Sequence, residues 1–326
     1  MPIFSKKVAV CFVRRALQCG AKWQCLCKNL HPWCAFWRSG ATGGNMQHTI
    51  SNQTFGQERA LYNLQNATVQ NCSFCGQEDG ESALKECRNI VVQHSNFQLR
   101  YPLWHCHGVQ ISHCTQTETC RAPLWYCSQV DVQHSQLHGI KAVRECNNVA
   151  ISNSSIQSDE FGWKTCNLRL ANCTASGKYF LFGAEHVELC NVEMSGKYSF
   201  QYVKNATISH CTLDTKDALW HAENVLVEHC VVKGEYLAWY SKNVTFHNCT
   251  IVGTQPLCYC QNLKLVDCTM VDADLAFENS TVQATVNSHI LSVKNPIGGS
   301  IVAHSIGEVI VDNPIYPSTC KISTKQ

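Results

Sequence analysis

"KNATISHCT" at residues 204–212 and "KNVTFHNCT" at residues 242–250 are one nine-residue phrase written twice, 38 positions apart. Halfway between them, residues 223–231 read "ENVLVEHCV", which keeps the Asn, the alternating apolar residues and the Cys. The period is therefore 19 residues. With the Asn position taken as the first of each copy, copies start at Gln129, Asn148, Asn167, His186, Asn205, Asn224, Asn243 and Asn262, each 19 after the last. Earlier copies start at Asn66, Asn89 and Gly108, with gaps of 23, 19 and 21 leading up to Gln129, and weaker ones continue near Thr281 and Ser300. A repeat of this length marks a stacked architecture, in which a unit cannot bury its own hydrophobic face and relies on its neighbours.

Within a copy the apolar residues alternate, as in Val225 and Val227, Val244 and Phe246, or Leu263 and Leu265, and each pair is followed by Cys and a further apolar residue. Period two means strand, with those side chains on one face. Gly139, Gly177, Gly196, Gly234 and Gly253 share one position, where a turn calls for a permissive backbone. No copy has room for a helix of ten or more residues. The solution is an all-β fold, a parallel β-helix of about twelve rungs in which each strand bonds its equivalent one turn later. The strict six-residue beat of left-handed β-helices is missing, so the right-handed form is expected.

The 326 residues carry a formal charge of +2 that hides an asymmetry. Residues 1–45 hold seven Lys or Arg and no Asp or Glu, which leaves 19 basic and 24 acidic residues from Met46 onward, a net of −5. A mildly acidic body argues against a nucleic-acid partner bound through counterion release. Residues 1–45 also lack the repeat and are read as a separate basic segment, disordered, a targeting arm, or an over-extended gene start ahead of Met46. Residues 46–326 are read as the β-helix domain with its two caps. The apolar run Val8–Val13 is cut by Arg14 and Arg15 without a cleavage site, and nothing approaches the ~20 apolar residues of a membrane span. A cytoplasmic location, no membrane partner and no cofactor are therefore expected; oligomeric state is not readable.

The chain has 23 Cys, and the repeat sorts them into columns. Cys72, Cys114, Cys173, Cys211, Cys230, Cys249 and Cys268 share one position, filled elsewhere by Ser95, Ser135 and Ser154. A second column holds Cys87, Cys106, Cys127, Cys146 and Cys260, alternating with Thr165, Ala184, Ala222 and Ser241. Both read as small, buried corners occupied by free thiols. Stacked neighbours one strand spacing apart, with parallel Cβ vectors, make poor disulfides. The Asn residues are expected in left-handed or bridge turns, stacked amide on amide, so that sequons such as Asn205-Ala-Thr207 and Asn243-Val-Thr245 arise as by-products of the ladder. A histidine column (His94, His113 and His134; His210 and His229) interchanges with Asn, which favours a turn position over a metal site. No metal is expected.

No nucleotide-binding loop, HExxH or GxSxG occurs in the chain. What varies between copies, at constant length, is the segment between the glycine turn and the second Cys column, which is rich in Arg, Lys, Glu, Asp, Trp, Tyr and His. "GQERALY" (56–62), "GESALKE" (80–86), "RAPLWY" (121–126), "KDALWHAENV" (216–225), "GEYLAWYSKN" (234–243) and "GTQPLCY" (253–259) lie in or beside it. On these motifs, from Phe55 to about Asp312, the chain resembles the bacterial domain of unknown function 3737 family of pectin-lyase-like right-handed β-helices. The resemblance implies that fold and brings no established activity, substrate or catalytic residue.

Two function classes follow. In one, this face binds or processes an anionic oligosaccharide or sugar phosphate, with Trp163, Trp220 and Trp239 stacking on sugar rings and Arg100, Arg121, Lys141 and Arg144 holding acidic groups. Catalytic candidates are Asp159, Glu160, Lys178, Asp217 and Glu235, since a lyase needs a base beside a cation and a glycosidase a carboxylate pair. In the other, the protein is an intracellular scaffold whose aromatics contact a partner. The Trp column reads equally as an exposed stripe or a buried stack.

Overall fold

The computed structural model describes residues 48–77 and 80–325, so the expectations for residues 1–45 lie outside the described residues. There is no helix among them. The chain winds into a right-handed parallel β-helix of about 14 turns, the hand expected of parallel crossovers. All strand pairs are parallel, and most match a residue with its counterpart 19 positions on, such as Ile208 with Val227 and Val227 with Phe246. The turns beyond the anticipated twelve lie at the two ends. His48–Ser51 pairs with Ala67–Gln70, and Lys321–Thr324 caps Ser300–Ala303. Neither end strand carries the Asn or the Cys, so neither shows the sequence signature.

One rung illustrates all of them. Strand Lys204–Ser209 buries Ala206 and Ile208, His210 turns the chain with φ 55°, and Cys211 fills the corner. Strand Thr212–Lys216 then buries Leu213 and Thr215. The third side follows, with Asp217, Leu219 and His221 at φ 55°, 60° and 54°. Non-glycine residues in this left-handed region each cost about 1–2 kcal/mol. The cost is met between rungs: Asp217 N donates to Glu235 O at 3.0 Å, Leu219 N to Ser199 O at 2.9 Å and His221 N to Trp239 O at 2.9 Å. Stacking, rather than local preference, imposes this backbone.

The glycine column serves close approach. At Gly196 an added Cβ would sit 2.0 Å from the carbonyl oxygen of Gly177, whatever the backbone angle. At Gly234, φ 151°, it would sit 2.2 Å from Thr215 O.

Both cysteine columns are buried, and hydrogen bonding explains their makeup. In the first, Cys230 Sγ donates to Ile208 O of the rung below at 3.5 Å and Cys249 Sγ to Val227 O at 3.3 Å. The same atoms act as acceptors: Cys211 N donates to Cys230 Sγ, and Cys72 N to Ser95 Oγ at 3.1 Å. In the second, Cys127 Sγ reaches Leu103 O at 3.0 Å, Ser241 Oγ reaches Leu219 O at 2.6 Å and Cys260 Sγ reaches Ala238 O at 3.1 Å. These carbonyls belong to the rung below, next to a corner, so a small side chain that donates there adds a bond between rungs. Cys and Ser interchange because both do so. The cysteines of both columns are free thiols.

The core is a set of stacked rows. Phe55, Phe74 and Phe97 lie face to face with centroids 5.2 and 4.7 Å apart. Gln116 continues that row between Phe97 and Leu137, fully buried, with neither amide atom hydrogen-bonded. The Asn row lies on the outside with φ near 55°. Asn262 donates to Asn243 at 2.9 Å, Asn243 to Asn224 at 2.9 Å and Asn224 to Asn205 at 3.1 Å.

Candidate functional site

The variable segments form the third side of the β-helix, and stacking sorts their side chains into three outward columns. The first runs Glu81, Arg100, Arg121, Ile140, Asp159, Lys178, Lys197, Lys216 and Glu235, held in line by bonds such as Tyr101 N to Arg121 O, Glu160 N to Lys178 O and Asp217 N to Glu235 O. Lys178, Lys197 and Lys216 are paired directly in strand register. The second column is Lys85, Trp104, Trp125, Arg144, Trp163, Phe182, Gln201, Trp220 and Trp239. The third includes Tyr126, Glu145, Tyr202, His221, Tyr240 and Tyr259.

In the second column the rings are half-buried and stacked on one another. Trp104 and Trp125 are 5.3 Å apart at 11°, and Trp220 and Trp239 are 5.4 Å apart at 4°. The Arg144 guanidinium sits between Trp125 and Trp163, 5.8 and 5.7 Å from their ring centres. Trp220 and Trp239 also donate their indole N–H to the carbonyls of Tyr236 and Gln255 at 2.7 and 2.8 Å. The ring faces that were expected to stack on sugar thus cover each other, leaving edges outward. The third column behaves alike: Tyr202, His221, Tyr240 and Tyr259 stack at 4.9, 5.1 and 4.8 Å, with interplanar angles of 8°, 11° and 12°.

Charge on this side is largely paired. Arg100 meets Glu81 at 3.4 Å, Lys141 meets Glu160 at 3.2 Å, Arg144 meets Glu145 at 2.9 Å and Lys216 meets Glu235 at 2.7 Å. Arg121, Lys178 and Lys197 have no carboxylate within 4 Å of their cationic groups among the described residues. Asp217 is 7% exposed, and burial raises its pKa; nearby Lys216 and Lys197 oppose the shift and Glu235 adds to it. It is the carboxyl on this face best suited to hold a proton.

Beside the first column, between Arg121 and Lys178, an open groove of about 430 Å³ is lined by Glu118, His138, Ile140, Gln157, Asp159 and Gly177. Asp159 Oδ1 there accepts the Lys178 amide at 2.8 Å, and His138 Nε2 lies 3.2 Å from Ser155 Oγ. Among the described residues no three His, Cys, Asp or Glu groups converge to hold a metal ion. The stacked histidines His94, His113 and His134, at 4.9 and 5.2 Å, are side-by-side turn residues.

The family described as a protein of unknown function, DUF3737, matches residues 48–323. The chain belongs to the DUF3737 family. No curated protein matches the sequence. Among solved structures, the DUF3737 fold is similar to the surface adhesin PfbA of Streptococcus pneumoniae (7% identity, TM-score 0.42, 77% of this chain and 87% of that one). It is similar also to the A-module of the Azotobacter vinelandii mannuronan C-5 epimerase AlgE4 (9%, 0.30, 89% and 93%). A third is the tailspike of E. coli bacteriophage HK620, solved with a pentasaccharide (12%, 0.37, 80% and 65%). At these scores the likenesses carry nothing about what the DUF3737 chain binds.

The anticipated site residues divide between two stretches of the face. Lys141, Arg144, Asp159, Glu160 and Trp163 fall on two adjacent rungs, linked by the Lys141–Glu160 pair and by Arg144 over Trp163, and of these only Asp159 lines the groove; Lys216, Asp217, Trp220, Glu235 and Trp239 gather three to five rungs later. Lys178 lies between them, and Arg100 and Arg121 lie below. Sequence reasoning missed Glu118, His138 and Gln157. The signal was present in the 21-residue gap from Gly108 to Gln129, since the two extra residues fall in the bend around Glu118 and Thr119 that flanks the groove.

Proposed function

We propose that the third side of the β-helix binds a linear anionic saccharide, laid along the first outward column from Arg121 past the groove to Lys216. The observation that carries this reading is the conjunction of an open groove with three cations, Arg121, Lys178 and Lys197, that lack carboxylate partners among the described residues although their neighbours Arg100, Lys141, Arg144 and Lys216 have them. The polar lining of the groove and the outward edges of Tyr202, His221 and Tyr240 supply hydrogen-bonding groups of the kind hydroxyl-rich ligands need. If binding is followed by chemistry, Asp217 is the group that would exchange the proton.

A second reading is supported by the aromatic stacks and the paired charges: both features are self-satisfied, as on the surface of a scaffold. Titration of neutral, uronate and phosphorylated oligosaccharides against the wild type and Arg121→Ala, at low and moderate salt, separates the two. Binding that is selective for the acidic ligands, weakens with salt and falls in the variant supports the site. Absence of binding to every saccharide in the set overturns it in favour of the scaffold.

A further inference from the structure

We infer that the saccharide site contains one lysine subsite pair, Lys178 and Lys197, that takes acidic groups on two consecutive sugar residues, and that Arg121 is reached only by chains long enough to pass Asp159 and Ile140. This rests on the saccharide reading above and adds to it a count and a direction. Lys178, Lys197 and Lys216 occupy the same register on consecutive strands, which puts their backbones about 4.7–4.9 Å apart. A 1,4-linked chain of pyranose rings advances by a comparable step per residue, so a chain parallel to the axis of the β-helix offers one ring to each rung. The four-carbon stem of lysine lets its ammonium reach either edge of such a chain.

The lysine pair is flanked on both sides by acid. Below Lys178 the next residue in line is Asp159, whose carboxylate already accepts the Lys178 amide. Above Lys197 comes Lys216, whose Nζ is held by Glu235 at 2.7 Å and lies 5.1 Å from the ring centre of Tyr236. A third acidic sugar would have to displace Glu235, and a fourth would face it. The two middle lysines, both exposed, are left as like charges one strand spacing apart with no carboxylate within 4 Å among the described residues. Their repulsion is relieved when a dianionic ligand spans them, and a monoanion relieves only half of it.

The test is calorimetric titration with a homo-oligouronate series of one to four residues and a tetrasaccharide in which uronate alternates with a neutral sugar. The proteins are the wild type, the Lys178→Ala, Lys197→Ala double variant and Glu235→Gln. In the wild type, affinity should rise about tenfold from one residue to two and then level off. The double variant should lose that rise, and Glu235→Gln, by freeing Lys216, should extend it to three residues. The alternating tetrasaccharide should bind like a single uronate. Affinity that climbs evenly with each added residue, or a double variant that keeps the step from one to two, would overturn the inference while leaving saccharide binding intact. Failure of every saccharide to bind any of the three proteins would overturn the binding reading itself, and this inference with it. All three substitutions are on solvent-exposed or half-exposed side chains, and unchanged melting curves serve to verify folding.

Discussion

The amide of Cys211 donates to the sulfur of Cys230 at 3.3 Å, one rung further on, and that thiol donates in turn to the carbonyl of Ile208 at 3.5 Å. A single small side chain thus links an amide and a carbonyl of the neighbouring rung across the corner. Cys230→Ser preserves both bonds and should change stability by less than about 1 kcal/mol. Cys230→Val fills the same space without either bond and should cost about 1–3 kcal/mol, since it leaves the buried Cys211 amide without its partner. Chemical denaturation of both variants checks this, and equal losses would mean the column acts by volume alone.

Reactivity of the thiols should follow the same burial. Of the eighteen described cysteines, Cys75, Cys166, Cys190 and Cys320 are partly exposed and the rest are buried. Burial also pushes the Cys114 and Cys268 thiols up to about 11 and Cys260 up to about 12, so they remain protonated at neutral pH. Among the eighteen described cysteines, iodoacetamide should label at most the four partly exposed ones in native protein and all eighteen after denaturation without reductant, counted position by position from peptide masses.

Asp217 sets a pH dependence with a definite sign. Its pKa is raised in the folded state, chiefly by burial, relative to about 3.9 for an unfolded Asp. The native state therefore holds the proton more tightly, so stability from this group is greatest below the unfolded value and is lost as pH rises through the folded one. Asp217→Asn should raise the melting temperature at pH 7, and the difference should vanish near pH 3. A variant less stable than wild type at pH 7 would contradict this account.

Gln116 costs the core something that an apolar residue would not. With both amide atoms buried and unpaired between Phe97 and Leu137, Gln116→Leu should stabilise by about 1–3 kcal/mol. Thermal melting would register this as a rise of several degrees. No rise would mean that the amide finds a partner, such as an internal water.

At Asn224 the backbone and the side-chain ladder make separable contributions. Asn224 is exposed at φ 57° and bonds Asn205 and Asn243. Asn224→Ala should cost about 1–2 kcal/mol through the left-handed backbone, whereas Asn224→Gly loses the same amide bonds without that strain and should cost less. Thr245→Ala, on the outward parity of the next strand, should stay within about 0.5 kcal/mol. Equal losses for Ala and Gly at 224 would assign the effect to the side-chain bonds.

The repeat was legible because stacking demands the same small or apolar residue at the same place in each turn. Val225, Val244 and Leu263 are in line in the sequence and in line in the core. The left-handed backbone at Leu219, Ala238 and Phe200 was not legible, because none of these residues favours it and only bonds to adjacent rungs impose it. The pairing of cations was also hidden. Whether Lys216 finds Glu235 while Lys197 finds no carboxylate depends on side-chain reach and neighbouring rotamers, which a column of letters does not record. Likewise, the half-buried state of the Trp column follows from ring-on-ring stacking, to which Trp, Arg144 and Lys85 adapt equally well.

The rung-to-rung hydrogen bonds of this β-helix run along its axis, as Asp217 to Glu235 and His221 to Trp239 do. A tensile load applied along that axis therefore strains one seam at a time instead of all of them in parallel. The fold should yield by peeling, each detached turn of 19 residues releasing roughly 60 Å of slack chain. In a single-molecule pulling record that is a train of small, evenly spaced force drops, in contrast to the one tall peak of a domain whose strands must shear together.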